Sequence, residues 1–138
     1  VGMTCPIVCG DSADTPEVAA VAGAAVEGVV YVSAFSAEST ADAAVKFVSA
    51  YTAMHDGESP NSNAELAYEA TQMVIYALQN ATEVTRTAVR DALASIQGLE
   101  VPSGYITVGA DRNPIKGAVI MEYDAAGVSH FVAAVNPS

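Results

Sequence analysis

The sequence predicts an α/β fold, in which strands of a parallel sheet alternate with helices. Residues 6–9 form a short apolar run that ends at a glycine, which is typical of a buried strand in a parallel sheet. A second apolar run, residues 28–33, has the same character. Residues 16–22 between them are predicted to be helical, because Pro16 suits a first turn and Gly23 suits a helix end. Together the three segments predict a strand–helix–strand unit.

The rest of the chain predicts three amphipathic helices followed by three strands. Apolar residues recur at three- and four-residue steps, as on one face of a helix. These faces are Ala44, Phe47, Val48, Tyr51 and Met54; Leu66, Ala70, Met73, Val74, Ala77 and Leu78; and Ala88, Ala92, Leu93 and Ile96. The second helix is polar at Glu65, Glu69, Gln72 and Gln79. Residues 105–108, 118–123 and 128–135 are β-like and are separated by connectors rich in turn residues.

The composition excludes several classes of function. The chain has 138 residues, of which 51% are hydrophobic and 15% charged, so it has enough apolar residues to build a core. No apolar run is long enough to span a membrane. Sixteen acidic residues against five basic ones give a net charge of −11, and such a surface repels phosphate backbones. We therefore expect no nucleic-acid partner.

The cysteines and histidines do not predict a catalytic or metal site. Cys5 and Cys9 would lie about 13 Å apart along a strand, whereas a disulfide needs Cα atoms within about 7 Å. We expect both to be small buried hydrophobic side chains. Neither His55 nor His130 has a nucleophile motif beside it, and their spacing from the cysteines does not suit zinc. The sequence predicts no enzyme, no metal and no cofactor.

A carboxylate follows the first predicted strand. Asp11 lies at the strand's carboxyl end, where open α/β sheets bind ligands. A carboxylate there is suited to an ammonium group, because a hydrogen bond between opposite charges is strong. The alternative is that Asp11 caps the helix that follows, since Asp is a favoured N-cap residue. These residues alone leave both interpretations open.

Several short segments occur in an order that matches a known family. They are Pro6-Ile7-Val8-x-Gly10-Asp11-Ser12, Thr15-Pro16-Glu17, Ala22-Gly23, Val26-Glu27-Gly28-Val29-Val30-Tyr31, Pro60, Tyr68-Glu69-Ala70 and Ile115-Lys116-Gly117. No single segment is specific, but the ordered series covers nearly the whole chain. It resembles the type I solute-binding proteins of ABC importers, and among them the branched-chain amino-acid binders.

The resemblance implies a fold of two lobes, each a three-layer α/β/α structure, of which this chain is an incomplete part. Relatives are much longer, and this chain corresponds to their carboxy-terminal portion, with residues 1–4 expected to leave a preceding helix. Segments 1–33 and 117–138 are expected in the carboxy-terminal lobe, and 34–116 in the amino-terminal lobe. The small and polar residues 34–40 are expected to cross between the lobes.

The resemblance also implies candidate binding residues. Asp11 lies where relatives place the acidic residue that meets the ligand amine, although a close branched-chain binder has Glu there; Ser12 is a neighbouring candidate that also suits a turn. Asn63 lies where relatives often present an aromatic side chain, so it indicates a more polar ligand, or else a helix cap. In this family the missing amino-terminal portion holds the ligand carboxylate. This chain is therefore expected to supply at most half of a site.

The expected function is the substrate-binding component of an ABC importer in the periplasm. Its ligand would be a branched-chain or related small amino acid, bound in the cleft between the lobes, and its membrane partner a permease. The chain is also expected to pair with the missing amino-terminal half or with a second copy of itself, because it would otherwise expose sheet edges and apolar surface. Two alternatives are a ligand-sensing receptor or regulator with the same fold, and a structural α/β module without a ligand.

Overall fold

The strands of residues 4–136 form two separate sheets. A computed structural model describes residues 4–136, so the helix exit expected over residues 1–4 falls almost entirely outside the described residues. In chain order the elements are β1 (Val8–Cys9), α1 (Pro16–Ala22), β2 (Val30–Ser33), α2 (Asp42–Met54), α3 (Ser62–Asn80), α4 (Arg86–Ala94), β3 (Leu99–Val101), β4 (Gly104–Val108), β5 (Pro114–Ile115), β6 (Ala118–Tyr123) and β7 (Ser129–Val135), with short 3-10 helices at Asp11–Ala13 and Gly23–Val26.

The first sheet has the strand order β1-β2-β6-β7. β1 is parallel to β2, with Val8 opposite Val30, and α1 lies between them in the chain, so the predicted strand–helix–strand unit is confirmed. β6 and β7 extend the sheet in antiparallel pairing. The prediction that β1 is buried is wrong, since Val8 is 72% exposed. The reason is that β1 is a two-residue strand at the edge of the sheet.

Both cysteines are free thiols, as their spacing predicts. Cys5 is exposed and Cys9 is partly exposed, so the prediction that they are buried hydrophobic side chains is wrong. Cys9 lies on the edge strand β1 and is only partly buried where it packs against the core beside it.

The bounds of α1 are those that the sequence predicts. Thr15 adopts an extended conformation, and its side-chain oxygen accepts a hydrogen bond of 3.1 Å from the backbone N–H of Glu17. Pro16 occupies the first position of the helix, where its missing N–H costs nothing. Gly23 ends the helix with a φ of 55°, a conformation that favours glycine.

A hydrophobic core lies between α1 and one face of the first sheet. Its buried members are Ala13, Val26, Val29, Tyr31, Met121 and Tyr123. The rings of Tyr31 and Tyr123 are 5.2 Å apart, within the range of favourable aromatic contact. Elsewhere on the sheet Val32, Val132 and Val135 are 40–53% exposed, so the expected exposed apolar surface is present.

The second sheet has the order β3-β4-β5 and packs against α3 and α4. Its core consists of Ile96, Val101, Ile106 and Val108, with Met73, Tyr76, Leu93 and Leu99 at its margin. Only β4 among these strands is predicted from the sequence. β3 and β5 have three and two residues, too few for an alternating pattern to be visible.

The two middle helices depart from their predicted faces. In α2, Phe47 is buried as predicted, but Met54 in the last turn is 81% exposed. In α3, Leu78 on the predicted apolar face is 46% exposed, whereas Glu65 and Glu69 on the predicted polar side are buried. The buried side of α3 therefore combines both glutamates with Met73 and Ala77 of the predicted apolar face.

The division into two sheets follows the segments expected to form two lobes. The first sheet is built from strands within 1–33 and 117–138, and the second from strands within 34–116. A single sheet of all the strands, which would contradict that division, is not formed by residues 4–136. The assignment of the segments to lobes stays a prediction. None of the helices in this part of the chain combines the length and the apolar character that crossing a membrane requires.

Candidate functional site

Asp11 and Ser12 lie at the carboxyl end of β1, in the 3-10 helix that follows this strand. Both residues are exposed. The capping alternative for Asp11 is wrong, because the N-cap of α1 is Thr15. The Asp11 side chain is therefore not occupied by the helix that follows it.

Asn63 lies in the first turn of α3 and is exposed. The N-cap of this helix is Asn61, whose side-chain oxygen accepts a 3.0 Å hydrogen bond from the backbone N–H of Ala64. The alternative that Asn63 caps the helix is therefore wrong. Sequence reasoning chose the wrong one of two asparagines two residues apart, since either could begin the helix on composition alone.

The capping role of Asn61 predicts different effects on stability for substitutions of the two asparagines. We expect Asn61→Ala to cost about 1 kcal/mol of unfolding free energy in the complete protein, because one backbone N–H of α3 loses its cap. Asn63→Ala, the matched control, should change the unfolding free energy by less than about 0.5 kcal/mol. Urea denaturation followed by circular dichroism measures both, and equal losses would contradict the assignment of the cap to Asn61.

Asp14 joins the segment after β1 to the start of α3. Its Oδ2 accepts hydrogen bonds from the Ser33 hydroxyl at 2.9 Å and from the backbone N–H of Ser62 at 3.1 Å. Its Oδ1 accepts a bond of 3.2 Å from the Tyr31 hydroxyl. A carboxylate at a helix N-terminus is also favoured by the helix dipole. Asp14 thus brings the segment of Asp11 beside the segment of Asn63.

The Tyr31 hydroxyl stays protonated in this arrangement. Burial raises the pKa of Tyr31, and the nearby negative charge of Asp14 raises it further, while the bond to Ser129 opposes them. The Tyr31 and Ser129 oxygens are 2.6 Å apart. Asp14 is therefore satisfied by protein donors, whereas Asp11 extends to the surface. Of the two carboxylates, Asp11 is the one accessible to a cationic ligand.

Sequence reasoning missed Asp14. The available signal was local: Tyr31 and Ser33 alternate on β2 and so point to one side of the sheet, at a strand end where an acidic residue could reach both. The partner on α3 gave no such signal, because Ser62 is 48 residues away.

An aromatic groove of about 760 Å³ runs between α2 and α3. Phe47, Tyr51 and Tyr68 line it, and the Tyr68 ring packs on Phe47 at a centroid distance of 4.9 Å. His55 stacks on Tyr51 at 4.0 Å. The lining includes none of Asp11, Ser12 and Asn63, so this groove is separate from the predicted site.

His130 is held between two carboxylates. Its Nε2 lies 3.1 Å from Asp124 and its Nδ1 lies 3.2 Å from Glu38. Hydrogen bonds to Asp124 and then to Glu38 raise the pKa of His130, which favours its protonated form. This arrangement joins the crossover after β2 to β7, and both ring nitrogens of the imidazole lie beside carboxylates. Across residues 4–136, no group of three or more His, Cys, Asp or Glu side chains is arranged to hold a metal.

A family model described as periplasmic binding protein matches residues 2–128. The chain belongs to the periplasmic binding protein family. The members of this family are substrate-binding proteins rather than enzymes. The predicted α/β class and the predicted resemblance are confirmed.

Solved structures of periplasmic binding proteins superpose closely on this chain. The leucine binding protein LivK from Thermotoga maritima MSB8 is 28% identical with a TM-score of 0.91, and the match covers 99% of this chain and 39% of LivK. The branched-chain amino acid transporter substrate binding protein LivJ from Streptococcus pneumoniae, solved with isoleucine, is 29% identical with a TM-score of 0.82, covering 97% of this chain and 37% of LivJ.

A substrate-binding protein from Desulfitobacterium hafniense, solved with Leu, is 22% identical with a TM-score of 0.81, over 95% of this chain and 36% of that one, and shows the fold alone. This periplasmic binding protein chain thus spans about two fifths of the length of the LivK structure that it matches. No curated protein matches it.

Proposed function

We propose that this chain supplies part of the ligand cleft in the substrate-binding component of an ABC importer for amino acids. The observation that carries the proposal is the exposed Asp11 carboxylate at the carboxyl end of β1, beside the start of α3. The family match and the likeness to LivK and LivJ, both more than a quarter identical, support it.

The two sheets correspond to the two sides of the cleft. Segments 1–33 and 117–138 contribute to the carboxy-terminal lobe, and 34–116 to the amino-terminal lobe. The separation of the strands into two sheets supports this division. A ligand between the lobes would draw them together by a hinge motion at the crossovers.

The ligand amine is the part of the ligand that this chain recognises. Asp11 accepts hydrogen bonds from the ammonium group, and Ser12 adds a hydroxyl beside it. Asn63 offers an amide to the ligand side chain, so small polar amino acids are accepted alongside the branched-chain ones. The ligand carboxylate is bound by the part of the protein that this chain does not include.

The remaining partners follow from the same assignment. The protein works in the periplasm and delivers its ligand to a membrane permease. The exposed apolar side chains of the first sheet and of α3, including Val132 at 51% and Leu78 at 46%, support a covering partner, either the amino-terminal half or a second copy of the chain.

A thermal-shift screen of the complete protein tests the proposal. Each of the twenty amino acids is added in turn, and leucine, isoleucine, valine and small polar amino acids are the expected hits. A ligand at a hundred times its Kd stabilises the folded state by about 2.7 kcal/mol, which is a clear rise in Tm. If no amino acid raises the Tm of a correctly folded preparation, the proposed ligand class is wrong.

A further inference from the structure

Two glutamates on α3 are buried together. Glu65 is fully buried and Glu69 is 2% exposed, although acidic side chains are almost never buried unless they are paired. They are four residues apart on one helix, so they lie on the same face and are neighbours. The partners of the two side chains are very different.

Glu69 has a full set of partners. Lys116 Nζ lies 2.5 Å from its Oε2. Its Oε1 accepts hydrogen bonds from both the backbone N–H and the hydroxyl of Ser103. Burial alone would raise the pKa of Glu69, but hydrogen bonds from Glu65, Lys116 and Ser103 together lower it. Glu69 is therefore the ionised member of the pair.

Glu65 has no such partners. When Glu65 is ionised, neither of its carboxyl oxygens has a hydrogen-bond donor among residues 4–136. An ionised carboxylate in this position would be desolvated and would face the negative charge of Glu69. Within residues 4–136, Lys116 is the one cation that acts on this pair, and Glu69 already pairs with it. With both glutamates ionised, the cluster of Glu65, Glu69 and Lys116 would carry a buried net charge of minus one.

A single proton on Glu65 gives its carboxyl group a hydrogen-bond partner and removes the buried net charge. A protonated Glu65 is neutral, and its O–H gains a charge-assisted acceptor in the neighbouring Glu69 carboxylate. We propose that Glu65 is a proton-binding site, which holds a proton at neutral pH in the folded protein and through it donates a hydrogen bond to the ionised Glu69 carboxylate. Burial, followed by the hydrogen bond to Glu69 and its charge, raises the pKa of Glu65 to about 9.

The position of the cluster gives this proton a structural role. Ser103 lies in the turn between β3 and β4, and Lys116 lies between β5 of the second sheet and β6 of the first. The glutamates therefore connect α3 to the point where the chain passes from one sheet to the other. Loss of the Glu65 proton places an unpaired charge beside this crossover and weakens it. Under the proposed function the crossover is a hinge of the cleft, but the proton-binding site itself does not depend on that assignment.

The pH dependence of stability tests the proposal through Glu65→Gln, since a glutamine has the shape and neutrality of the protonated acid. A raised pKa in the folded state means that the folded protein binds more protons than the unfolded chain between about pH 4.5 and pH 9. Wild-type stability therefore falls with rising pH across this window relative to the variant. The ratio of the wild-type to the variant unfolding constant should rise by up to about tenfold per pH unit and level off above pH 9.

Denaturant titrations of the complete protein at pH 5, 7 and 9 measure this ratio. Glu58→Gln is the matched control, because Glu58 is exposed. The ratio of the wild-type to the Glu58→Gln unfolding constant should be the same at all three pH values. A flat ratio for Glu65→Gln would overturn the proposal.

Infrared spectroscopy of the wild type gives a readout that does not depend on a variant folding. A protonated carboxyl C=O band should be present at pH 7 and lost above about pH 9. It should be absent from Glu65→Gln and retained in Glu58→Gln. Absence of the band from the wild type at pH 7 would overturn the proposal, as would its loss in Glu69→Gln together with its persistence in Glu65→Gln. Ligand binding enters neither measurement, so failure of the proposed transport function would leave this result unaffected.

Discussion

Replacing Asp11 with asparagine should weaken binding of the cognate amino acid by about ten- to a hundred-fold in the complete protein. The change removes a negative charge and keeps the shape, and a hydrogen bond to a charged group contributes about 1.5–3 kcal/mol. Stability should not change, because Asp11 is exposed and Thr15, not Asp11, caps α1. Isothermal titration calorimetry of the wild type and the variant with the best ligand of the amino-acid screen measures the effect.

Asp56→Asn is the matched control for this experiment. Asp56 is exposed beyond the end of α2, and Asn tolerates its φ of 51° as well as Asp does. The control loses the same charge at a place outside the proposed site, so its affinity should equal that of the wild type. An unchanged affinity in Asp11→Asn would remove Asp11 from the binding site.

The largest effect on stability is expected from Lys116→Met. The Lys116 and Glu69 side chains are 14% and 3% exposed, and their ion pair lies in the interior. Removing the cation leaves the Glu69 charge buried with only the Ser103 donors, and breaking a buried pair from one side costs about 3–5 kcal/mol. Denaturant titration of the complete protein at neutral pH measures the loss.

Lys46→Met controls for the removal of a lysine. Lys46 is exposed on α2, so its replacement should change the unfolding free energy by less than about 0.5 kcal/mol. Adding Glu69→Gln to Lys116→Met should recover part of the lost stability, because the uncompensated charge is then gone. A loss below about 1 kcal/mol in Lys116→Met would show that the pair contributes no more than a surface ion pair.

Local signals predicted much of the fold. Pro16 and Gly23 gave the bounds of α1, and the β-like run of residues 118–123 gave β6 with both ends correct. β3 was missed because it has three residues, and β5 because it begins with Pro114 and has only two. The error at β1 has a different origin: an apolar run indicates a strand, but it does not show whether the strand is central or at an edge.

The long-range contacts were beyond what the sequence pattern could predict. Glu69 meets Lys116 across 47 residues, and Asp14 meets Ser62 across 48. Glu65 and Glu69 have the spacing of a solvated helix face, so no local sequence pattern predicted that they are buried. The position of Asp11 at a strand end was predictable because it depends only on where β1 stops.

A crystal structure of the complete protein with the best ligand from the screen is the most direct test of the account. We predict an amino acid between two lobes, with its ammonium nitrogen about 2.7–3.2 Å from a carboxylate oxygen of Asp11. Segments 1–33 and 34–116 should lie on opposite sides of the ligand. A ligand amine held by other residues, with Asp11 facing solvent, would contradict the account.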